Sequence, residues 1–391
     1  MLSWCIQKYS IELCSDTSYR KSAKYLNMFL HRSDSASFHH RTLADGIEAS
    51  GKALSEIIDA HAAEVLEKNN FNPETALPNN PEELPASVKQ PKVIPEEEIK
   101  EVVDKVAEEY NATHEDFPIS AVLLEFLPEL FWKLVVFISI DDVLVKHQKD
   151  ERREDFEKKK KNVTNTVIHI LVDGKAYIIT AVDMKQAYRL LVAFLLENNL
   201  FENRQLVFLS DGAKDIKENC ASFFSWRPYI LILDWFHLAK RIKELCSMCF
   251  KLPKDKKNNL IKTILKHLWV GNIDGAISYI RGFNSSAIKN ENVRNDMCSY
   301  LERKRENICC HAIRRVFELK LSSNAAEKSN DLVVADRQKH NGMSWSFSGS
   351  GALAVLSSAC RNNTLSLWVE KKDISFDMNE YGRQVVTKVA A

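Results

Sequence analysis

The chain has 391 residues, 45% of them hydrophobic, which is more apolar material than one ordinary core holds, so two or more domains are expected. A formal net charge of +1 excludes a uniformly basic or acidic protein. No apolar run reaches the roughly 18 residues of a membrane span, and nine scattered cysteines do not make a disulfide framework.

Residues 1–71 read as helical. SYRKSAKYLNMFLHR places Tyr19, Ala23, Leu26 and Leu30 on one helical face, and periodicity resumes after the polar break SDSASFHH. With Arg20, Lys21, Lys24 and Arg41, the pair of helices suits a helix-turn-helix reader of DNA or a hairpin packed on another element. MLSWCIQKYS lacks the basic start and long apolar stretch of a secretory leader. Residues 72–95 carry six of the ten prolines and read as an extended linker. The segment 96–131 begins as an acidic helix, EEEIKEVVDKVAEEY, with Pro95 at its start and glutamates in its first turn.

The next segment, 132–239, alternates strands and helices. KLVVFISIDDVLV is a strand that meets Asp141 and Asp142, and the charged stretch KHQKDERREDFEKKKKN follows it. TNTVIHILVDGKAYIITAV is two strands around Asp173-Gly174, a strong hairpin signal. MKQAYRLLVAFLLENN is an amphipathic helix, QLVFLSDGA a strand that stops at Asp211, and AKDIKENCASFF a helix. YILILDWFHLAKRIKELCSMCF runs from strand into helix. This order, three hairpin-linked strands and then alternating units, is that of an α/β, ribonuclease H-like mixed sheet with flanking helices.

Residues 240–320 show no convincing strand and read as an all-helical insertion with eighteen Lys/Arg against eight Asp/Glu. Residues 72–130 have four against fourteen. Such asymmetry suits a polyanion-binding face on the basic block, or simply solvated helical surfaces. Cys246 and Cys249 form one CxxC, and Cys309 and Cys310 are adjacent. Without a second CxxC or an HxxxH partner they read as structural rather than as a zinc site. Residues 321–370 read as a helix, a Gly/Ser-rich turn and another helix, and 371–391 as a loose tail.

Ligand sites in α/β sheets collect at strand ends. Asp141 or Asp142 lies on the first strand and Asp211 ends the fourth, and in this order those strands are central neighbours. Two carboxylates so close repel and call for a cation bound through oxygen. Glu327, at the start of a helix after the last strand, supplies a third. Taken singly, Asp211 reads as a helix N-cap and Glu327 as a first-turn glutamate.

The blocks SDGAKDIK, ILDWFHLAKRIKE and AAEKSNDLVVADRQKHNGMSWSFSGSGAL, with ISIDDVLVKHQKDERRE before them, resemble the catalytic core of Mutator-like insertion-sequence transposases over roughly residues 132–370. The resemblance implies an Asp-Asp-Glu triad of Asp141, Asp211 and Glu327 holding two Mg²⁺ ions, with Mn²⁺ as a substitute. Asp142 is the alternative to Asp141. Asp234 and His237 fall on the Cys/Asp-x-x-His motif that follows the fifth strand and are expected to brace the active-site wall. The implied partners are double-stranded DNA, both element ends and target, and further copies of the chain. The implied compartment is a prokaryotic cytoplasm, at the nucleoid.

Lys240, Arg241, Arg314, Arg315, Arg337 and Lys339 are the candidate DNA contacts, and Trp345 is read as core ahead of a base-stacking role. Two other readings stay open: a ribonuclease H-like nuclease that cuts without joining, and a transposase-derived DNA-binding protein without chemistry. No glycine-rich phosphate loop follows the first strand, so no nucleotide cofactor is expected.

Overall fold

The computed structural model describes residues 4–32, 37–92, 95–119, 135–148, 162–322, 324–339 and 343–385. Most of the charged stretch after the first strand, the end of the acidic segment and the last six residues lie outside them. Helices α1 (Trp4–Asp16), α2 (Tyr19–Phe29), α3 (His40–Lys68), α4 (Ala86–Lys89) and α5 (Glu96–Thr113) precede the sheet. Its strands are β1 (Val135–Lys146), β2 (Asn162–Val172), β3 (Lys175–Ala181), β4 (Gln205–Ser210), β5 (Ile230–Leu233) and β6 (Arg383–Gln384). Helices α6 (Met184–Glu197), α7 (Lys214–Phe223) and α8 (Trp235–Cys249) alternate with β3, β4 and β5. Helices α9 (Lys254–Trp269), α10 (Ile273–Arg281), α11 (Glu291–Lys304) and α12 (His311–Val316) follow without a strand among them. Then α13 (Asn324–Asn330), a π-helical turn (Asp331–Ala335) and α14 (Asp336–Gln338) run end to end. The chain closes with α15 (Phe347–Arg361), α16 (Leu365–Lys371) and α17 (Met378–Tyr381). Among the described residues no helix is long and apolar enough to cross a membrane.

The strands form one mixed sheet in the order β5-β4-β1-β2-β3-β6. β1, β2 and β3 are antiparallel neighbours, β4 runs parallel to β1 and to β5, and the short β6 lies antiparallel on β3. The β2–β3 turn is Asp173-Gly174 with φ of 48° and 76°, the left-handed pair that a two-residue hairpin demands.

Alternation along β1 divides the molecule. Val136, Ile138 and Ile140 point into one core with α6, while Val143 and Val145 point into another with α1, α3 and α15. Helices α8 to α11 bury a third core of their own, which includes Cys246, Cys249 and Cys298. All nine cysteines are free.

Several segments pack where the sequence suggests loose or separate pieces. α3 lies against α15 so closely that a Cβ on Gly51 would stand 2.3 Å from the Ala352 carbonyl oxygen. The N-terminal helices therefore share the sheet's second core, and Arg20, Lys21, Lys24 and Arg41 remain exposed on them. The proline-rich stretch is not a free linker: Leu84 and Val88 pack on the first core, and Asn203 N–H donates to the Ser87 carbonyl at 2.7 Å. The Gly/Ser-rich SFSGSGAL is the N-cap and the start of α15, with Ser346 accepting from Gly349 N–H. The tail is anchored as well, because Phe376 and Met378 are buried and Arg383 pairs with Ala176.

Candidate active site at the end of the central strands

The β1–β4 ladder ends at Ser139↔Leu209. Two residues further along each parallel strand come Asp141 and Asp211, so the same register that builds the sheet brings the two carboxylates together. Asp211 is not the N-cap of α7; that position belongs to Ala213, which has no side-chain cap. Asp211 instead accepts from Ala213 N–H at 2.7 Å and holds the turn after β4. Gly212 follows at φ 88°, with Leu233 Cδ1 2.8 Å from where a Cβ would be. Only glycine fits both the left-handed backbone and the space.

Asp141 is partly buried on the face of β1 that α13 covers. Its Oδ1 accepts from Asp142 N–H at 2.8 Å and its Oδ2 from Asn330 Nδ2 at 2.6 Å. Burial pushes its carboxyl up to about 6, with the charges of Asp211 and Asp142 adding to the rise; the Asp142 amide and His237 oppose it. Asp142 projects to the opposite face, where it accepts from Thr166 Oγ1 at 2.6 Å. Of the two rivals on β1, Asp141 is the one facing α13.

Helix α13 presents two residues three positions apart. Asn330 reaches Asp141, and Glu327, about half exposed, sets Oε1 3.6 Å from His237 Nε2. His237 Nδ1 lies 3.3 Å from Oδ1 of Asp234, which is buried and caps α8 by accepting from His237 N–H at 2.9 Å. Asp234 is the main cause raising the His237 pKa; burial opposes it, and Glu327 and Asp211 add to it. Asp234 thus fixes the backbone of His237 and faces its ring as a charge. The insertion reaches the site too, through Lys304 Nζ donating to the Gly212 carbonyl at 2.6 Å.

The carboxylate pair suits a hard cation in kind, and so does the Asn330 Oδ1, a buried oxygen without a hydrogen-bond partner beside Asp141. The geometry is open: among the described residues no three of His, Cys, Asp and Glu stand close enough to hold a metal ion. Glu327 is tied to His237 and is not drawn in to Asp141 and Asp211.

Two of the candidate DNA contacts are corrected. Arg314 is fully buried, with Nε and Nη2 donating to the Lys320 carbonyl at 3.2 and 2.7 Å. Arg337 is 3% exposed; its Nε donates to the Cys14 carbonyl at 2.9 Å and its guanidinium lies over the rings of Tyr19 and Trp345. Both arginines are closed off from any ligand surface. Trp345 is core, donating its indole N–H to the Gln338 carbonyl. Lys240, Arg241, Arg315 and Lys339 are exposed. Beside Trp235, next in sequence to Asp234, lies an open cavity of about 650 Å³ lined by Tyr110, Phe117, Trp269, Lys262 and Lys266.

Asn330 and Lys304 were not singled out from the sequence. Asn330 carried a signal, its i+3 spacing from Glu327 on one helix face. Lys304 carried none, since it comes from another element 92 residues away from Gly212. Comparison with protein-family models, curated proteins and solved structures found no match.

Asp141 gives a test of the site that needs no substrate. The folded chain holds the Asp141 proton more tightly than the unfolded chain does, so stability falls as pH rises from about 4 to about 6 and stays lower above that window. Asp141→Asn removes this loss and keeps an acceptor for Asn330. In EDTA near neutral pH the variant is expected to be more stable than the parent by about 1–3 kcal/mol, with no gain at about pH 4. Thermal melts across pH check it; an equal gain at both ends of the range would count against a proton held on Asp141 by burial.

Proposed function

We propose that the chain is a DNA transposase with a ribonuclease H-like core, acting at the ends of its element and joining them to target DNA. The observation that carries this reading is the placing of Asp211, just past the end of β4, beside Asp141 in the middle of the neighbouring strand β1, with α13 bringing Glu327 to the same face. The strand order and the helical insertion between β5 and α13 support it.

Asp141, Asp211 and Glu327 would hold Mg²⁺ ions, which when bound supply activation of the attacking oxygen and stabilisation of the leaving one at a phosphodiester. The chain's own residues hold part of this arrangement: Asn330 fixes Asp141, Lys304 pins the turn that carries Asp211, and Asp234 fixes His237, which holds Glu327 apart from the two aspartates. The exposed Lys240, Arg241 and Arg315 extend a basic surface for phosphate along the insertion, and self-association on paired ends is part of the proposal.

A second reading, a DNA-binding descendant without chemistry, is favoured by one observation: Glu327 rests on His237 apart from the two aspartates. A labelled duplex carrying the ends that flank the gene separates the possibilities, incubated with Mg²⁺, Mn²⁺ or EDTA. Metal-dependent nicking at the ends followed by joined products is the expected result. Nicking without joining would point to a nuclease, and tight binding of the ends without cleavage to the second reading.

A further inference from the structure

The open cavity beside Trp235 gathers rings and ammonium groups from two elements. One face of α9 lines it with Lys262, Leu265, Lys266 and Trp269, spaced at three and four residues. The end of α5 and the turn after it supply Tyr110, His114, Glu115, Asp116 and Phe117. The rings of Tyr110, Phe117, Trp235 and Trp269 are only half-buried, and His114 is exposed. Tyr110 and His114 already stack, with centroids 4.0 Å apart and planes 4° from parallel. Trp235 meets Trp269 edge to face at 4.8 Å, and Lys266 Nζ lies 4.8 Å from the centre of the Phe117 ring. At about 650 Å³ the space is of the size that takes one small organic group. Its walls suit a ligand with a flat π face and an anionic end, and a nucleotide has both. A methylated ammonium, the other common guest of aromatic cages, would meet two lysines of like charge.

We propose that this cavity takes one unstacked nucleotide of a single-stranded nucleic acid, its base against the rings and its phosphate on Lys262 and Lys266. Stacking on aromatic side chains accepts every base, because every base has a π face. Glu115 and Asp116, on the α5 side, add a bias: a carboxylate accepts from an exocyclic amino group, which cytosine has and thymine lacks. A strand fits better than a free nucleotide. Outside the cavity lining α9 also carries Lys254, Lys256 and Lys257, which gives the helix five lysines against one acid, Asp255. These suit the phosphates of neighbouring nucleotides. The site needs neither the acids of β1 and β4 nor a metal, so it goes beyond the chemistry proposed above and stands apart from it.

The experiment measures binding of the full-length chain to a short fluorescein-labelled DNA single strand in EDTA, by anisotropy. A second strand of the same length with base-free sugars throughout keeps the phosphates and lacks the rings. The parent is expected to bind the base-free strand about five- to a hundredfold more weakly. Phe117→Leu and Trp269→Leu are expected to lose a similar share of the affinity for the complete strand and to bind the base-free strand as the parent does. Lys262→Gln combined with Lys266→Gln is expected to weaken both strands and to lower the salt dependence by about one to two phosphate contacts. Equal affinity of the parent for the two strands would overturn the proposal and leave a basic surface only. So would a preference for the complete strand that both leucine variants keep. A nucleoside monophosphate that displaces the complete strand at equal concentration would overturn the strand in favour of a free nucleotide. If Trp269→Leu does not fold, Phe117→Leu decides alone. Cleavage is not read here, so failure of this site leaves the transposase reading standing, and failure of that reading leaves this site standing.

Discussion

Asp211→Asn is expected to lower metal-dependent strand cleavage by roughly a thousandfold while leaving affinity for the element ends largely unchanged. A metal ion at a phosphodiester supplies several kcal/mol of transition-state stabilisation, and each 1.36 kcal/mol is a factor of ten. The substitution is a clean one. Asp211 is exposed, and its one hydrogen bond among the described contacts, from Ala213 N–H, is kept by an asparagine oxygen. Gly212 and Lys304 continue to hold the turn. What changes is one negative charge beside Asp141. Gel-based cleavage and filter binding of the same labelled duplex, run on the same preparation, measure the two effects. Cleavage at the parent's rate would remove Asp211 from the metal site and reduce it to the residue that shapes the turn.

Arg314→Met is expected to destabilise the fold by about 2–4 kcal/mol and to leave DNA affinity per folded molecule unaltered. The guanidinium is fully buried and donates twice to the Lys320 carbonyl. Methionine keeps the aliphatic stem but leaves that carbonyl without those donors, and a buried unsatisfied group costs about 1–3 kcal/mol by itself. The damage falls at a sensitive joint. The chain from Arg314 to Lys320 closes α12 and leads to Leu321, whose carbonyl accepts from Trp235 N–H at 3.2 Å, beside Asp234. Arg315→Ala, one residue on and exposed, is the contrast. It should cost little stability, weaken binding to all duplexes alike and reduce the salt dependence of binding by about one phosphate contact. Denaturant melts and binding at several salt concentrations separate the two; a loss of affinity in Arg314→Met without loss of stability would return that residue to the DNA surface.

Those neighbouring arginines show where sequence reasoning stops. Composition marks residues 240–320 as basic, but a charge count does not say which side chains face water. The burial of Arg337 depends on the Cys14 carbonyl, 323 residues away along the chain. Nothing local to DRQKHNG announces that contact. The same holds for the proline-rich segment and the C-terminal tail, which look unanchored because their partners, Asn203 for one and β3 for the other, are distant in sequence.

What the sequence by itself determined is whatever short-range stereochemistry and alternation control. The apolar runs of β1 to β5, the Asp173-Gly174 hairpin, the order of strands and helices and the stop of β4 before Asp211 are all local in origin. From that order the nearness of Asp211 to the Asp141-Asp142 pair was legible, because β1 and β4 are parallel neighbours in this order. Only the tertiary structure decided which face of β1 meets α13, the face of Asp141, with Asp142 on the other. It also decided that Asn330 closes on Asp141, that Lys304 crosses from the insertion, and that Glu327 meets His237. The reason is physical: each of these contacts joins side chains whose separation is set by how α11, α13 and α8 pack on the sheet, and packing is a sum over many distant apolar contacts that no single stretch of sequence contains.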